Sequence, residues 1–385
     1  MDGAVKAKQT VSRDSLSSIA KLFLKLGTIG FGGPAVHIAM MKEEVVQRRN
    51  WMSETHFLDL IGATNLIPGP NSTDMAMHIG HERAGWKGLL VAGFCFIGPA
   101  VIITAFFAWL YHQYGQLPSV QPFLYGIKPA IIAVIVSLMM DLGKRALKNV
   151  ELGIIGTGAG IAALLGANEV YVLFGGGLLG VIIYLAKSIS KNVYGFFPFI
   201  FLQLADPDAR ISDIKLFLAF LKIGSILYGS GYVLFAFLDA ELVSRGLLTK
   251  QQLTDAIAVG QFTPGPVFSS ATFIGWQIGG ASAALAATVG IFLPSFLFVA
   301  LLNPLIPKLR KSPIMSTFLD TVNIVSIAII LSVIVDIGRV AISDWHAIVI
   351  MIISFGVCYF FKKLNTAYVI LGGALLGYLL SRVHF

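Results

Sequence analysis

The sequence predicts an all-α polytopic membrane protein built from two homologous repeats, and three observations lead to this fold class. Hydrophobic residues make up 56% of the 385 residues and charged residues only 12%, whereas about 25% charged residues is usual in soluble domains. The apolar residues form continuous runs, several of which approach the roughly 20 residues that a spanning helix needs. The second half of the chain also repeats motifs of the first half in the same order. A lipid bilayer is therefore the expected environment.

The continuous apolar runs favour helices over the strands of a transmembrane barrel. Barrel strands alternate apolar and polar residues, whereas these runs are dense in Leu, Ile, Val, Ala and Gly. The runs lie at residues 89–110, 129–142, 154–165, 170–186, 283–302, 318–335 and 347–361. From their lengths we expect about ten to twelve transmembrane or re-entrant helices, some of them broken by glycine and proline.

The repeat is recognised from two matching segments, FLKLGTIGFGG around Lys25 and FLKIGSILYGS around Lys222, whose lysines lie 197 residues apart. The match continues through the PGP motifs at residues 68–70 and 264–266. It predicts a polar cytoplasmic tail at residues 1–15, a first repeat at 16–187, an aromatic-rich connecting segment at 188–210 and a second repeat at 211–385. Repeats in secondary transporters form a substrate site at their interface near the bilayer midplane.

Basic residues predict that the two repeats have opposite orientations in the membrane. Cytoplasmic loops of membrane proteins carry an excess of Lys and Arg. The basic clusters lie at residues 144–148 in the first repeat and at 308–311 and 362–363 in the second, in loops that do not correspond to one another. Arg339 and Arg382 fit this pattern less well. We therefore expect inverted-topology repeats.

Glycine and proline interrupt the apolar helices twice in each repeat, at residues 30–34, 67–70, 228–231 and 263–266. Non-helical backbone at membrane depth is tolerated only inside protein or beside a watery cavity, and each break is either a kinked span or a re-entrant hairpin. The half-helices that follow would begin near Ala35, Asn71, Gly231 and Val267. A single PGP would suggest a proline kink with a helix cap, but recurrence in both repeats indicates a transport site.

The amides and the positive dipole end of a helix N-terminus form a ready anion site, and the polar residues around the breaks suit a tetrahedral oxyanion. In the first repeat the candidate binding residues are Lys25, Gly32, Gly33, Asn65, Gly69, Asn71, Ser72 and Thr73. In the second repeat they are Lys222, Gly229, Ser230, Gln261, Thr263, Gly265 and Ser269. The two sites are expected to differ, because Asn-Ser-Thr follows the first PGP and Val-Phe-Ser-Ser follows the second. The two lysines either neutralise a dianion or extend toward the membrane interface, and both interpretations stand.

Three residues of the first repeat are candidates for proton coupling: Asp74, His37 and His78. Asp74 lies in the first turn of the half-helix after PGP, where it could instead complement the helix dipole. The histidines could titrate near neutrality, although a lone histidine is more often a satisfied packing residue. Glu44 and Arg48, one helical turn apart, are expected to form a surface pair at a helix end.

Several function classes are disfavoured by motifs that the sequence lacks. It contains no P-loop and no His/Glu pattern with metal-ligand spacing, so neither ATP hydrolysis nor any cofactor or metal is predicted. No nucleophile and base pair suggests an enzyme. The net charge of +8 is spread over short loops, which argues against a nucleic-acid partner. Cys95 and Cys358 lie far apart in apolar segments and predict no disulfide.

Stretches of the first repeat carry a family resemblance: GFGGPAVHIAMMKEEVV with the following RRNWMSE, GATNLIPGPNSTDMAMHIG, and HERAGWKGLLVAGFCFIGPA. Together they resemble the signature of the chromate ion transporter family, in its long-chain form with two domains. The resemblance extends over essentially the whole chain and is strongest in the first repeat. The second repeat has YGSG in place of FGGP.

The resemblance implies a secondary transporter in the cytoplasmic (inner) membrane of a prokaryote, one that exports chromate and confers chromate resistance. Its partners would be the oxyanion and the lipid bilayer, and a homodimer is left open. Chromate and sulfate are both tetrahedral dianions that backbone amides do not sharply distinguish, so transport of sulfate or a related oxyanion is the first alternative. A passive anion channel is the second, and coupling of flux to a gradient would separate it from a carrier.

Overall fold

The computed structural model describes residues 16–115, 117–187, 212–228, 231–302, 312–361 and 364–382. Within these ranges the regular secondary structure is entirely helical, which confirms the all-α prediction. The predicted tail at residues 1–15 and connecting segment at 188–210 lie outside the described residues, as do the candidate binding residues Gly229 and Ser230.

Fourteen α-helices are present in the described part of the chain, seven in each half. Those of the first half are α1 (Leu16–Ile29), α2 (Pro34–Lys42), α3 (Glu54–Thr64), α4 (Asn71–Tyr114), α5 (Gln121–Ala146), α6 (Val150–Leu164) and α7 (Glu169–Lys187). Those of the second half are α8 (Asp213–Ile226), α9 (Val233–Leu238), α10 (Lys250–Phe262), α11 (Ser270–Leu302), α12 (Pro313–Ala341), α13 (Trp345–Phe360) and α14 (Thr366–Leu380). The helices correspond one to one and in order, which agrees with the predicted duplication. Counting α1 with α2 and α8 with α9 as single broken helices gives twelve, the upper end of the predicted range.

In the part of the chain that the structure describes, five helical segments are long and apolar enough to cross a membrane, and they belong to α4, α5, α7, α11 and α12. The apolar helices α6, α13 and α14 have only 15 or 16 residues, so each is about 23 Å long, shorter than the roughly 30 Å hydrocarbon core. Short π-helical turns at Glu43–Arg48 and Asp239–Val243 follow α2 and α9 at equivalent positions.

The two longest helices each fold back on themselves. In α4 the helical path is interrupted at Ala84 and Gly85, and Gly85 has a φ of 59° that favours glycine. Gly80 lies directly against Gly88 across this interruption, where a Cβ atom on Gly80 would be 2.3 Å from the Gly88 carbonyl oxygen. The interruption recurs in α11 at residues 279–280. Each helix is therefore a short first segment followed by a reversal and a long second segment.

The PGP break of the first half lies at the tip of a re-entrant hairpin. This hairpin consists of α3 and the first segment of α4, and its two ends are joined by a 2.6 Å contact between His56 Nε2 and Glu82 Oε1. Since both ends lie together, the chain enters and leaves on one side of the protein. Of the two geometries left open for this break, the structure therefore has the re-entrant hairpin. The corresponding hairpin of the second half is formed by α10 and the first segment of α11.

Each half supplies helices that complete the packing of the other half. Helix α5 packs against α13 and α14, and its counterpart α12 packs against α6 and α7. Gly126 of α5 allows close approach, because a Cβ atom there would lie 2.1 Å from the Gly373 carbonyl oxygen of α14. Small residues permit such backbone approach between membrane helices. We call this arrangement, in which α5 and α12 each pack against two helices of the other half, the helix exchange.

Contacts at both ends of α5 show that α5 and α12 run in opposite directions. Lys148, just beyond the end of α5, pairs with Asp320 near the start of α12 at 2.7 Å. Tyr125, near the start of α5, donates a hydrogen bond to Asp344, just beyond the end of α12. These two equivalent helices are thus antiparallel neighbours. The largest cluster of buried apolar residues spans both halves, from Ile131 of α5 to residues of α8 to α12.

Candidate functional site

The four predicted breaks converge at the interface between the two halves. The Gly69 amide in the first PGP donates to the carbonyl of Leu227, which ends α8, at 2.9 Å. The Gly265 amide in the second PGP donates to the carbonyl of Gly30, which ends α1, at 2.8 Å. Each PGP tip is thus held by the first break of the opposite half. This is the position at which paired repeats of secondary transporters form their substrate sites.

Both PGP glycines have backbone conformations that other residues rarely adopt, with φ of 134° at Gly69 and 89° at Gly265. They are also tightly surrounded. A Cβ atom on Gly69 would lie 2.5 Å from Ser295 Oγ and 3.3 Å from Asp74 Oδ2, so both polar groups lie around the first PGP tip. Side chains from both halves, Asp74 of α4 and Ser295 of α11, therefore meet at this glycine.

The helices that start at the breaks lack the side-chain caps found elsewhere in the protein. Among the described residues, no side chain caps the N-termini of α2, α4, α9 or the 3₁₀ turn Val267–Ser269 that leads into α11. Eight helices have capping side chains, supplied by Ser53, Asn149, Asn168, Ser212, Thr249, Ser312, Asp344 and Asn365. Helix α5, which has proline in its first turn, is a further uncapped case. Uncapped N-termini leave amide donors available to an anion.

The half-helices begin close to the predicted positions in the first half and slightly later in the second. Helices α2 and α4 begin at Pro34 and Asn71. Helix α9 begins at Val233 rather than near Gly231, and α11 becomes α-helical only at Ser270, after the 3₁₀ turn. The shift in α11 places apolar Val267 and Phe268 in the turn after PGP, so this helix start differs in shape from that of α4.

Around the first PGP the structure brings most of the predicted polar residues together. Ser72 and Thr73 are buried, and the half-buried Asn71 donates from Nδ2 to Oδ1 of the exposed Asn65 at 2.8 Å. His37 Nδ1 lies 3.3 Å from Ser72 Oγ. On its other side, His37 Nε2 lies 2.8 Å from the Gly30 carbonyl oxygen. Helix α2 is thereby tied both to the start of α4 and to the end of α1.

Several buried polar atoms near the breaks have no hydrogen-bond partner among the described residues. They are Thr73 Oγ1 and both ring nitrogens of His78 in α4, and Gln261 Nε2 beside the second PGP. The buried carboxylate of Asp74 has only the Ser295 hydroxyl beside it. Leaving such a group unsatisfied costs roughly 1–3 kcal/mol, and more for a charged group. Proteins rarely accept that cost several times in one region without a ligand, water or proton to satisfy the groups. This set is the strongest indication of a polar ligand in the structure.

The second PGP has a more closed and less polar environment. Gln261, Thr263 and Ser269 are buried, and Ser269 accepts a hydrogen bond from Thr104 of the first half at 3.1 Å. Tyr232 OH lies 3.5 Å from Gln261 Oε1. A Cβ atom on Gly33 would be 3.2 Å from that same hydroxyl, so the first breaks of the two halves also meet.

The ionisable candidates of the first half have no ionisable counterparts in the second. Leu234 lies 197 residues after His37 and is one of six buried apolar residues that form α9. Phe273 lies 195 residues after His78, and Ser270 lies 196 residues after Asp74. The non-equivalence expected from the sequence therefore extends to charge: the first half has the titratable groups and the more exposed polar residues.

Lys25 and Lys222 each have a carboxylate partner. Lys25 Nζ lies 2.7 Å from Glu44 Oε1, and Glu44 is also 3.3 Å from both Arg48 and Arg49. The Lys25 hydrogen bond, together with Arg49, holds the pKa of Glu44 below its ordinary value against the effect of burial. The expectation of a surface pair was wrong for Glu44, which is only 7% exposed, because the π-helical turn directs it toward α1. In the second half Lys222 pairs with Glu241 in the same way.

Replacing Lys25 with Met is expected to lower the free energy of unfolding by about 1–3 kcal/mol, since buried Glu44 loses its nearest cation. The midpoint of thermal unfolding in detergent measures this. Because the pKa of Glu44 is lowered, its contribution is complete above the ordinary carboxylate pKa and is lost as the pH falls through the lower folded value. Adding Glu44→Gln should restore most of the stability. A restored but transport-inactive double variant would instead support Lys25 as a binding residue.

Two residues near the site, Ser295 and Tyr232, were not predicted from the sequence. Ser295 directly follows Pro294, the counterpart of Pro99, and it stands where the first half has Ala100. Tyr232 follows the YGSG segment. The sequence did contain a signal for Ser295. A polar residue stands there beside a matched proline, where the first half has a small apolar residue. No local signal indicates that Tyr232 lies against Gly33, because that contact depends on how the two halves pack.

Comparisons with known proteins are consistent with this geometry. The family model described as chromate transporter matches residues 17–181 and again residues 214–378. A probable chromate transport protein of Synechococcus elongatus is 29% identical over 88% of this chain and 89% of its own length. Chromate transport proteins of Cupriavidus metallidurans and Pseudomonas aeruginosa are each 27% identical, over 97% and 93% of this chain and 95% and 90% of their own lengths. No solved structure matches the chain.

Proposed function

The chain belongs to the chromate transporter family, whose members are membrane transporters and not enzymes, and we propose that it exports chromate from the cytoplasm and so confers chromate resistance. An oxyanion as the substrate class is supported by one observation. Buried polar atoms without a hydrogen-bond partner lie beside uncapped helix N-termini where the four breaks meet. The names of the relatives in Cupriavidus metallidurans and Pseudomonas aeruginosa support chromate within that class.

The oxyanion is bound between the start of α4 and the second half. The free amides at the α4 N-terminus and the hydroxyls of Ser72, Thr73 and Ser295 donate to its oxygens. The exposed Asn65 and the half-buried Asn71 lie beside this helix start, and the anion enters past them. Polar side chains at membrane depth face water or protein rather than lipid, so we place a watery approach on their side.

Asp74 couples this site to protons. Its carboxylate has no cation partner in the described structure. It lies beside Gly69 at the first PGP, close to the hydroxyl groups that bind the anion. An ionised Asp74 would repel a dianion at short range. The residue must therefore take up a proton when the oxyanion binds and can release it when the oxyanion leaves. One proton then leaves the cytoplasm with each dianion, and the membrane potential, negative inside, drives export of the remaining negative charge. His78, one helical turn further along α4, is positioned to pass that proton, and His37 orients Ser72.

We place the repeats in the membrane with inverted topology and with the end of α5 in the cytoplasm. The antiparallel arrangement of α5 and α12 supports the inversion. Lys144, Arg145 and Lys148 lie at the end of α5, and Lys187 ends α7, where it pairs with Glu151 at the start of α6. These residues share one side of the protein, and an excess of basic residues marks the cytoplasmic side. The cytoplasmic membrane of a prokaryote is the proposed location.

Uptake of labelled chromate into inverted membrane vesicles tests this proposal. We expect uptake that a lumen-positive membrane potential drives, that an imposed pH difference alters and that sulfate reduces. Uptake that follows the electrochemical gradient of chromate and does not respond to an imposed pH difference would identify a passive anion channel. Transport of sulfate without transport of chromate would mean that sulfate is the substrate, and the proposed mechanism would still apply. Vesicles from cells that express the Gly69→Ala variant provide the background.

A further inference from the structure

A buried ion cluster outside the four breaks joins the two halves. Lys128 Nζ of α5 lies 3.4 Å from Asp255 Oδ1 of α10, and the exposed fractions of the two side chains are 15% and 3%. Tyr111 of α4 donates its hydroxyl proton to Asp255 Oδ2 at 2.6 Å. Lys128 and Tyr111 belong to the first half, whereas Asp255 belongs to the re-entrant hairpin of the second. We call these three residues the inter-half cluster.

The inter-half cluster is not part of the duplicated framework. The ion pair between Lys25 and Glu44 recurs in the second half. By contrast, the position 195 residues after Lys128 is Asn323, although Asp59 lies 196 residues before Asp255. The lysine of the cluster is therefore not duplicated.

Helix α4 connects the inter-half cluster to the second PGP break. Thr104 of α4 donates to Ser269 beside the PGP, and Tyr111 of the same helix donates to Asp255. The two positions are seven residues apart, which is about 10 Å along a helix. Phe107 of α4 packs edge-on against Phe262 of α10 between them, with ring centroids 5.6 Å apart. An anion leaving the breaks along α4 would pass this aromatic pair and reach Lys128.

Electrostatics restrict how the inter-half cluster can open. A buried lysine separated from its carboxylate is costly unless another anion replaces that carboxylate. The protein's proposed cargo is itself a dianion, which can satisfy Lys128 and the Tyr111 hydroxyl. Arrival of the anion therefore permits Asp255 to leave, while in its absence the pair stays closed.

We propose that Lys128 is a second oxyanion-binding residue on the transport path, with Asp255 as its counter-ion when no substrate is there. Exchange of one anion for the other releases α10 from its ionic contact with α5, so that transit of the substrate loosens the protein on this side. The inference rests on the proposed function. It adds a binding residue within an apolar helix and explains why only one half has a lysine at this position.

Equilibrium binding of labelled chromate and of labelled sulfate to the detergent-purified full chain tests the inference alongside vesicle uptake. Asp255→Asn should bind the anion about tenfold tighter and transport it about tenfold more slowly, because Lys128 is then unpaired and retains its ligand. Lys128→Gln should lose transport, and Lys128→Arg should keep binding. The Lys250→Gln, Asp336→Asn double variant removes a more exposed pair, 3.4 Å apart, and should match the wild type.

The double variant Lys128→Gln, Asp255→Asn separates binding from scaffolding. It contains no unpaired buried charge, so it should fold and elute as the wild type does in size-exclusion chromatography, yet remain defective in transport. Wild-type transport by this variant would overturn the inference, as would an Asp255→Asn protein that binds the anion no more tightly. If the wild type binds neither chromate nor sulfate, the proposed function fails first and this inference fails with it.

Discussion

Replacing Asp74 with Asn is expected to abolish gradient-driven transport while leaving the anion bound. Asparagine resembles the protonated carboxylic acid in shape and charge, so the site stays permanently in the form that accepts a dianion. Without a proton to release, the cycle loses its coupling. We expect at least a tenfold fall in uptake, as removal of a group that stabilises charge commonly produces, and binding that depends less on pH than that of the wild type.

Vesicle uptake at several external pH values measures this effect, and binding to purified protein at the same values separates affinity from turnover. Asp320→Asn serves as a matched control. Asp320 is a partly exposed aspartate that pairs with Lys148 near a helix start, away from the breaks. Gradient-dependent uptake by Asp74→Asn equal to that of the wild type would remove Asp74 from the coupling mechanism and leave it as a residue at a helix N-terminus.

Replacing Gly69 with Ala is expected to be as severe, for reasons of backbone geometry. The φ of 134° at Gly69 strains any residue with a Cβ atom, and that atom would lie 2.5 Å from Ser295 Oγ. The contact is relieved either by rotation of the Ser295 hydroxyl, which takes a proposed anion donor out of position, or by movement of the PGP tip away from α11, which weakens the hydrogen bond from the Gly69 amide to Leu227. Strain of this kind costs of order 1–3 kcal/mol, and we expect transport to fall at least tenfold.

Gly98→Ala is the matched control for this variant, because Gly98 lies in the same helix as Asp74 with no atom within 4 Å of an added Cβ. It should transport chromate as the wild type does. Both proteins should reach the membrane in similar amounts, as judged by quantitative blotting. An active Gly69→Ala protein would mean that the PGP tip tolerates displacement and that the anion is bound elsewhere.

The sequence predicted the parts of this protein that depend on local composition. Apolar runs identified the long second segments of α4 and α11 and five further helices, α5, α6, α7, α12 and α13. Gly and Pro residues predicted the breaks, because those residues act on their own stretch of backbone. The duplication was also visible, since it needs only the chain to be compared with itself. These features led directly to Gly69, Asn71, Ser72, Thr73 and Asp74.

The features that were missed depend on contacts between residues far apart in the chain. Nothing near Gly265 indicates that its amide bonds to Gly30, and the burial of Glu44 follows from a π-helical turn that shifts its direction. Lys128 is different. It lies in an apolar segment, and the rule on intramembrane charge that selected Lys25 would have selected it as well. Its partner Asp255 was noticed only as a match to Asp59.

The helix exchange also determines the order in which parts of the protein can pack during biosynthesis. Gly126 of α5 and its partner Gly373 in α14 lie 247 residues apart, which at typical elongation rates separates their synthesis by roughly 10 to 50 seconds. During that interval the packing face of α5 is in the membrane without its partner helices. The first repeat therefore cannot reach its final packing while it is still being inserted. A nascent chain that stops before α13 exposes this unpaired glycine-containing face to the quality-control proteases of the membrane.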